Sequence, residues 1–149
     1  MSTASYADFL TFRLDLTSAL LCERANAVYR ERWDLDVRAL RVLRIVCGEP
    51  GISPKAVSQQ ALIEKTLLSK TLAELEARGL IGRDTHHEDR RRVAIRATPK
   101  GARIARDSAQ AGAELEAELA VALTVTERRT LDRLLEKLSG SLLGGKAQA

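Results

Sequence analysis

Apolar side chains recur three and four positions apart along most of the chain, the period that lays them on one side of a helix. Leu10, Leu14, Thr17, Leu21, Ala25 and Val28, with Leu16, Leu20 and Ala27 beside them, predict a first helix over roughly residues 5–32. Asp36 is a good N-cap for a second helix carrying Leu40, Leu43 and Val46, which Gly48-Glu49-Pro50-Gly51 ends. Ser53-Pro54 places a cap before a proline at the first helical position and opens a short third helix to about Gln60. A fourth follows from about Glu64 to Arg78, with Gly79 as its left-handed stop. The period then changes to two. Ile81 to Asp84 is short and extended, and Val93, Ile95 and Ala97 alternate with Ala94 and Arg96, so the pair predicts a hairpin with Thr85 to Arg92 as its tip. Thr98-Pro99 repeats the cap-plus-proline device before a long helix with a thin apolar set, Ala102, Ala105, Ala109, Leu115, Leu119 and Leu123. Thr124 to Glu127 is a capping box for a last helix bearing Leu131, Leu134, Leu135, Leu138 and Leu142, and residues 144–149 are expected to fray.

Three helices followed by a hairpin, between longer helices, is the element order of a winged helix-turn-helix: mainly α, with a small β-hairpin wing. The length of 149 residues fits a single domain, 1–149, with a core of its own. The DNA-binding lobe is expected over about 36–98, with helices over about 5–32 and 99–143 available for dimerisation. Their leucine and alanine stripes are too long for a small tri-helical core to cover alone, which predicts a dimer. Hydrophobic residues at 45% and charged ones at 30% describe a globular chain, and no apolar run is long enough to cross a membrane. Without a secretory signal, and with Cys22 and Cys47 too far apart for a CxxC motif, the expected compartment is the cytoplasm. Aromatics at 3% exclude a broad base-stacking platform.

Charge changes the picture once it is located. Arg83 to Arg103 holds seven basic residues against three acidic ones, which is the whole chain's net charge of +4. One block carrying all of the excess is an electrostatic footprint for a polyanion. On the fourth helix, Leu68, Leu72 and Leu75 share a narrow arc, while Thr66, Ser69, Lys70, Ala73 and Ala77 lie opposite, with Lys65 on the flank. Short hydroxyls, a cation and alanines suit a helix lying in the major groove, because nothing bulky holds it off the base edges. At the hairpin tip, His86 and His87 precede Glu88-Asp89-Arg90-Arg91-Arg92. An extended arginine there can enter a narrow minor groove, and Asp89 can orient Arg91 in a planar pair.

The stretch from Asp36 to Gly101 resembles the multiple-antibiotic-resistance regulator (MarR) family of winged-helix transcription factors. ISPKAVSQQALIEKTLLSKTLAELEARGLIGR and EDRRRVAIRATPKG carry the likeness, the second through an Asp-x-Arg wing signature and a Thr-x-x-Gly helix opening. The resemblance implies an obligate homodimer, formed by the N- and C-terminal helices, on a pseudo-palindromic double-stranded operator. It implies that Lys65, Thr66, Ser69 and Lys70 are recognition-helix readers, and that Arg90 enters the minor groove with Asp89 and Arg91 in support. His86 and Arg92 are the flanking DNA candidates. The family also implies a ligand-responsive repressor with a small anionic aromatic effector, for which Phe9, Phe12, Arg13, Trp33 and Arg41 are candidate pocket residues. Leu62 departs from the pattern, standing where a glycine or other turn residue is common; Glu64 is a weak N-cap, and Ala97 replaces a leucine.

Other candidate chemistry is thin. Cys22 in the first helix invites comparison with redox-sensing relatives, but an ordinary helix-face residue explains it, and Cys47 reads as core. His86 and His87 lack further ligands at zinc spacing, so no metal and no cofactor are expected. A lone Trp33 is usually core. No phosphate loop, HExxH or GxSxG motif is present, so no enzymatic activity is expected. Two alternatives stay open: a winged-helix protein-interaction module, and an architectural DNA binder without sequence preference.

Overall fold

The computed structural model describes residues 5–85 and 92–146. A 3₁₀ turn over Tyr6–Asp8 precedes α1 (Leu10–Trp33), α2 (Val37–Gly48), α3 (Pro54–Ala61) and α4 (Lys65–Ala77). Strands β1 (Ile81–Thr85) and β2 (Val93–Ala97) follow, then α5 (Pro99–Leu119), a second 3₁₀ turn over Ala120–Ala122, and α6 (Val125–Lys146). The architecture is the expected one, mainly helical with a two-stranded antiparallel hairpin. It forms two compact units, one ending at Gly112 and the other beginning at Ala113.

The caps form as the sequence predicts. Asp36 accepts from the Ala39 N–H at 2.8 Å, and Ser53 Oγ from the Ala56 N–H at 3.2 Å. Thr98 Oγ1 accepts from the Gly101 N–H at 3.1 Å. The Thr124–Glu127 capping box closes in both directions, at 2.8 and 3.2 Å. Gly79 takes φ +68°, and the Leu80 N–H reaches the Leu75 carbonyl at 2.9 Å, a left-handed stop for α4.

In the first unit a single core joins α2 (Leu40, Leu43 and Val46), α3 (Val57 and Ala61) and α4 (Leu68, Leu72 and Leu75) to Leu80, Ile81 and Ile95 of the wing base. The hairpin pairs Ile81 with Ala97 through to Thr85 with Val93. Ile52 adds a third rung, its carbonyl accepting from the Ile95 N–H at 3.0 Å, which ties the chain before α3 to the wing.

Four details differ from the sequence reading. The first helix starts at Leu10, because Asp8 folds back onto the Ser5 N–H at 3.1 Å and Phe9 is extended. Ala102 and Ala109 are exposed; the inward face of α5 is Gly101, Ala105, Ser108 and Ala111. Gly101 causes this rotation, since a Cβ there would overlap the Leu80 carbonyl, so only a glycine can make the closest approach. Ala105 and Ala111 of α5 join the core of the first unit. Leu123 lies outside α5, beyond the 3₁₀ turn. The chain expected to fray from Gly144 is helical to Lys146.

Candidate nucleic-acid interface

The candidate interface is built on α4. Leu68, Leu72 and Leu75 are buried and fix the helix against α2 and α3. Lys65, Thr66, Ser69, Lys70, Ala73 and Ala77 are all exposed, so the anchored face and the hydroxyl- and lysine-bearing face separate as the wheel predicts. Ser69 Oγ donates to the Lys65 carbonyl at 3.0 Å, which holds that hydroxyl against the helix while its lone pairs face outward. Among the described residues neither Lys65 nor Lys70 makes an ion pair, so both ammonium groups stand in solvent.

The turn entering α4 has a specific geometry. Leu62 caps α3 at φ +55° and is 87% exposed, an uncommon conformation for a leucine. Ser58 holds the turn, its hydroxyl donating to the Ile63 carbonyl at 2.6 Å and its backbone carbonyl accepting from the Ile63 N–H at 3.2 Å. Glu64 is the N-cap of α4 but its side chain caps nothing, so the first N–H groups of the reading helix receive no help from it. That leaves donors at a helix N-terminus beside Lys65 and Thr66, a setting that favours phosphate.

The wing stem is held by ion pairs, Arg83 to Glu76 at 3.1 Å and Arg96 to Asp84 at 3.5 Å. Part of the basic block is therefore spent in stabilising the stem. Lys100 and Arg103 on α5 are exposed, as is Arg92, just before β2 at the tip end of the hairpin. His86, Asp89, Arg90 and Arg91 lie outside the described residues, as does His87. The pairing of Thr85 with Val93 fixes where the tip begins and returns.

One chain does not gather the candidate effector residues into a pocket. Phe9, Phe12 and Arg13 lie at the start of α1, with Phe12 edge-on to Tyr6 at 5.0 Å and Arg13 paired with Asp8 at 3.7 Å. Trp33 ends the same helix, 21 residues beyond Phe12, which is about 30 Å at the helical rise. Arg41 is exposed on α2 and donates to the Ala61 carbonyl at 3.3 Å.

A different cation is better placed. Arg44 on α2 is half-buried, with its guanidinium 5.6 Å from the Tyr29 ring centroid and Nη2 donating to Ser108 Oγ at 3.1 Å. Tyr29 in turn tilts onto Trp33 at 6.1 Å. Arg44 Nε is buried and, among the described residues, has no hydrogen-bond partner. The sequence carried a signal for it: Arg44 is four residues after Leu40, inside the apolar arc of α2, where a cation is out of place. Cys22 and Cys47 are both half-buried, and desolvation pushes the Cys47 thiol above its ordinary range, away from the low values of reactive cysteines. Among the described residues there is no cluster of potential metal ligands, and no helix is long and apolar enough to cross a membrane.

Comparison with known proteins agrees with this geometry. Residues 33–92 match the model of the MarR family, a stretch that runs from the end of α1 through β1 and stops before β2. The chain is 32% identical over 97 residues to a protein of Thauera aromatica assigned to regulation of its hcr operon; the match covers 65% of this chain and spans 58% of that protein. The structure of reduced MarR from Escherichia coli is similar with a TM-score of 0.76 at 26% identity, covering 87% of this chain and 96% of that one. A MarR-family regulator from Rhodococcus sp. RHA1 shares the fold with a TM-score of 0.80 at 21% identity, over 91% and 96% of the two chains. Residues 33–92 thus match the MarR family of transcriptional regulators, and the chain shares its fold, helices and hairpin in the same order, with solved members of that family.

Proposed function

We propose that the protein is a homodimeric, sequence-preferring DNA-binding repressor, acting in the cytoplasm on a pseudo-palindromic operator and released by a small anionic aromatic effector. The observation that carries this reading is the division of α4: a buried leucine row on one side, and an exposed face of hydroxyls, lysines and alanines on the other, beside the stem of a basic hairpin. In this reading α4 lies in the major groove, with Lys65, Thr66, Ser69 and Lys70 at base edges and phosphates. His86, Arg90, Arg91 and Arg92 extend the contact along the backbone, with Arg90 in the minor groove and Asp89 orienting the tip.

Exposed apolar rows support the homodimer. Leu10, Leu14, Leu16, Leu20 and Leu21 line α1, with Phe9 just before it, and Leu131, Leu134, Leu135, Leu142 and Leu143 line α6. Such rows exceed what single chains leave in water, and a two-fold axis places one surface against its own copy. Arg44 supports the effector as a half-buried guanidinium close to Tyr29 and Trp33, where a carboxylate pairing with its terminal nitrogens would form a charge-assisted bond. The candidates at the start of α1 reach such a site only if the partner chain supplies them. Release follows if the effector favours a lobe arrangement that DNA does not.

The test is selection of bound fragments from the organism's own DNA, followed by titration of the selected duplex. One sequence should be preferred, and affinity should fall steeply with salt. Arg90→Ala should keep the dimer yet weaken binding by about 1–3 kcal/mol, the scale of one good groove contact. Binding every duplex alike would defeat the operator reading. If benzoic and phenolic acids change neither operator affinity nor melting temperature, the effector reading fails.

A further inference from the structure

A single side chain links the end of the reading helix to the end of α1. Arg78 caps α4, and its guanidinium reaches across the fold to the C-terminus of α1, where Nη2 donates to the Trp33 carbonyl at 2.6 Å and Nη1 to the Asp34 carbonyl at 2.5 Å. The last carbonyls of a helix have no intrahelical donor and carry the negative end of its dipole, so a planar cation with two forward N–H groups fits them well. Asp34 presents those carbonyls by turning the chain into the left-handed region, at φ +52°. Glu74, one turn back on α4, stands 3.9 Å from the same guanidinium.

We propose that Arg78 is a positioning residue that sets the distance and angle between the two reading helices of the dimer. The proposal rests on the DNA-binding reading above. The long apolar face of α1 is the surface assigned to the partner, so a bond from the end of α1 to the end of α4 ties the reading helix to the dimer axis. Core packing also connects the two helices through α2, as Tyr29 and the buried leucines belong to one cluster. Packing of that kind is non-directional, whereas two short charge-assisted bonds from one planar guanidinium constrain the angle between the two helix ends. Arg78 itself is at the far end of α4 from Lys65 and Thr66, and acts on DNA only through the helix it holds.

The test compares Arg78→Lys and Arg78→Ala with the wild-type protein on the selected operator and on versions with one base pair added or removed between half-sites. One base pair moves the half-sites by about 3.4 Å along the axis and turns them by about 35°. A lysine keeps the charge but cannot hold two carbonyls in one plane, so both variants should bind the native spacing about three- to tenfold more weakly, the scale of a partly screened charge-assisted hydrogen bond. Both should lose less than wild type when the spacing is altered. The salt slope should stay unchanged in both variants, because no phosphate contact is removed. A lysine variant with wild-type spacing discrimination would overturn the proposal, since charge alone would then suffice. So would an alanine variant that melts at the wild-type temperature and keeps the wild-type spacing preference. A wild-type protein without spacing preference would overturn the operator reading and this one with it, and that result appears before any substitution is made.

Discussion

Replacing Gly101 by alanine should cost far more stability than any surface change in the chain. A Cβ at this position would overlap the Leu80 carbonyl oxygen and stand 2.9 Å from the Leu80 carbonyl carbon and 3.3 Å from Leu43 Cδ1. Both obstacles are firm, one being backbone and the other a fully buried side chain. Relief requires the start of α5 to lift from the wing base. Two hydrogen bonds stand in the way: the Thr98 N–H to the Leu80 carbonyl at 3.0 Å and Thr98 Oγ1 to the Gly79 carbonyl at 2.7 Å. Losing or straining both costs about 1 kcal/mol each, the overlap adds a comparable amount, and alanine's better helix propensity returns less than 1 kcal/mol. The net loss is about 2–4 kcal/mol, or a melting temperature lower by about 5–15 °C in a chain of this size. Gly48→Ala is the control: it also ends in a helix, but a Cβ there meets nothing within 4 Å, so it should be neutral or stabilise by up to about 1 kcal/mol. Urea melts of the three proteins at one fixed concentration decide the matter, since a dimer's stability depends on concentration. A loss below about 1 kcal/mol for Gly101→Ala, or parity with Gly48→Ala, would refute the close-approach argument.

Lys70→Ala should weaken operator binding by about 1–3 kcal/mol with the fold unchanged, and lower the salt slope by about 1 per chain if the ammonium meets phosphate; fluorescence anisotropy across salt concentrations reads both. Leu62→Gly should stabilise the fold by about 0.5–1 kcal/mol, because the left-handed turn suits glycine and the leucine side chain is exposed; a lower midpoint in urea would show that Leu62 makes a contact of its own. Glu127 has its carboxyl held below the usual range by the Thr124 N–H and hydroxyl. Its contribution to α6 is therefore present above the ordinary glutamate value of 4.5 and is lost as the pH falls through the lower, folded value. Glu127→Gln should weaken helicity at pH 7 and match wild type in acid, as followed by circular dichroism.

Much of this fold was legible because its boundaries are written in local chemistry. Asp36, Ser53, Thr98 and Thr124 each sit directly before an apolar period, and each caps the helix that the period predicts. The exposed face of α4, the candidate for DNA contact, was legible for the same reason, since Leu68, Leu72 and Leu75 leave only one side free. What escaped the pattern depends on contacts between distant residues. The rotation of α5 is set by one approach of Gly101 to Leu80, which no helical wheel contains. Arg78 reads as an ordinary surface cation until the fold brings it to Trp33 and Asp34, 45 and 44 positions away. The effector set drew together both ends of α1, and a rigid helix keeps those ends apart within one chain.

The central claim, a dimer that reads DNA with α4 and the wing, is tested most directly by the mass of the protein–operator complex in solution. Light scattering of the selected duplex with excess protein should give two chains of 16.4 kDa per duplex, with no free single-chain species at low micromolar concentration. One chain per duplex, or a mass that grows with duplex length whatever its sequence, would contradict the account.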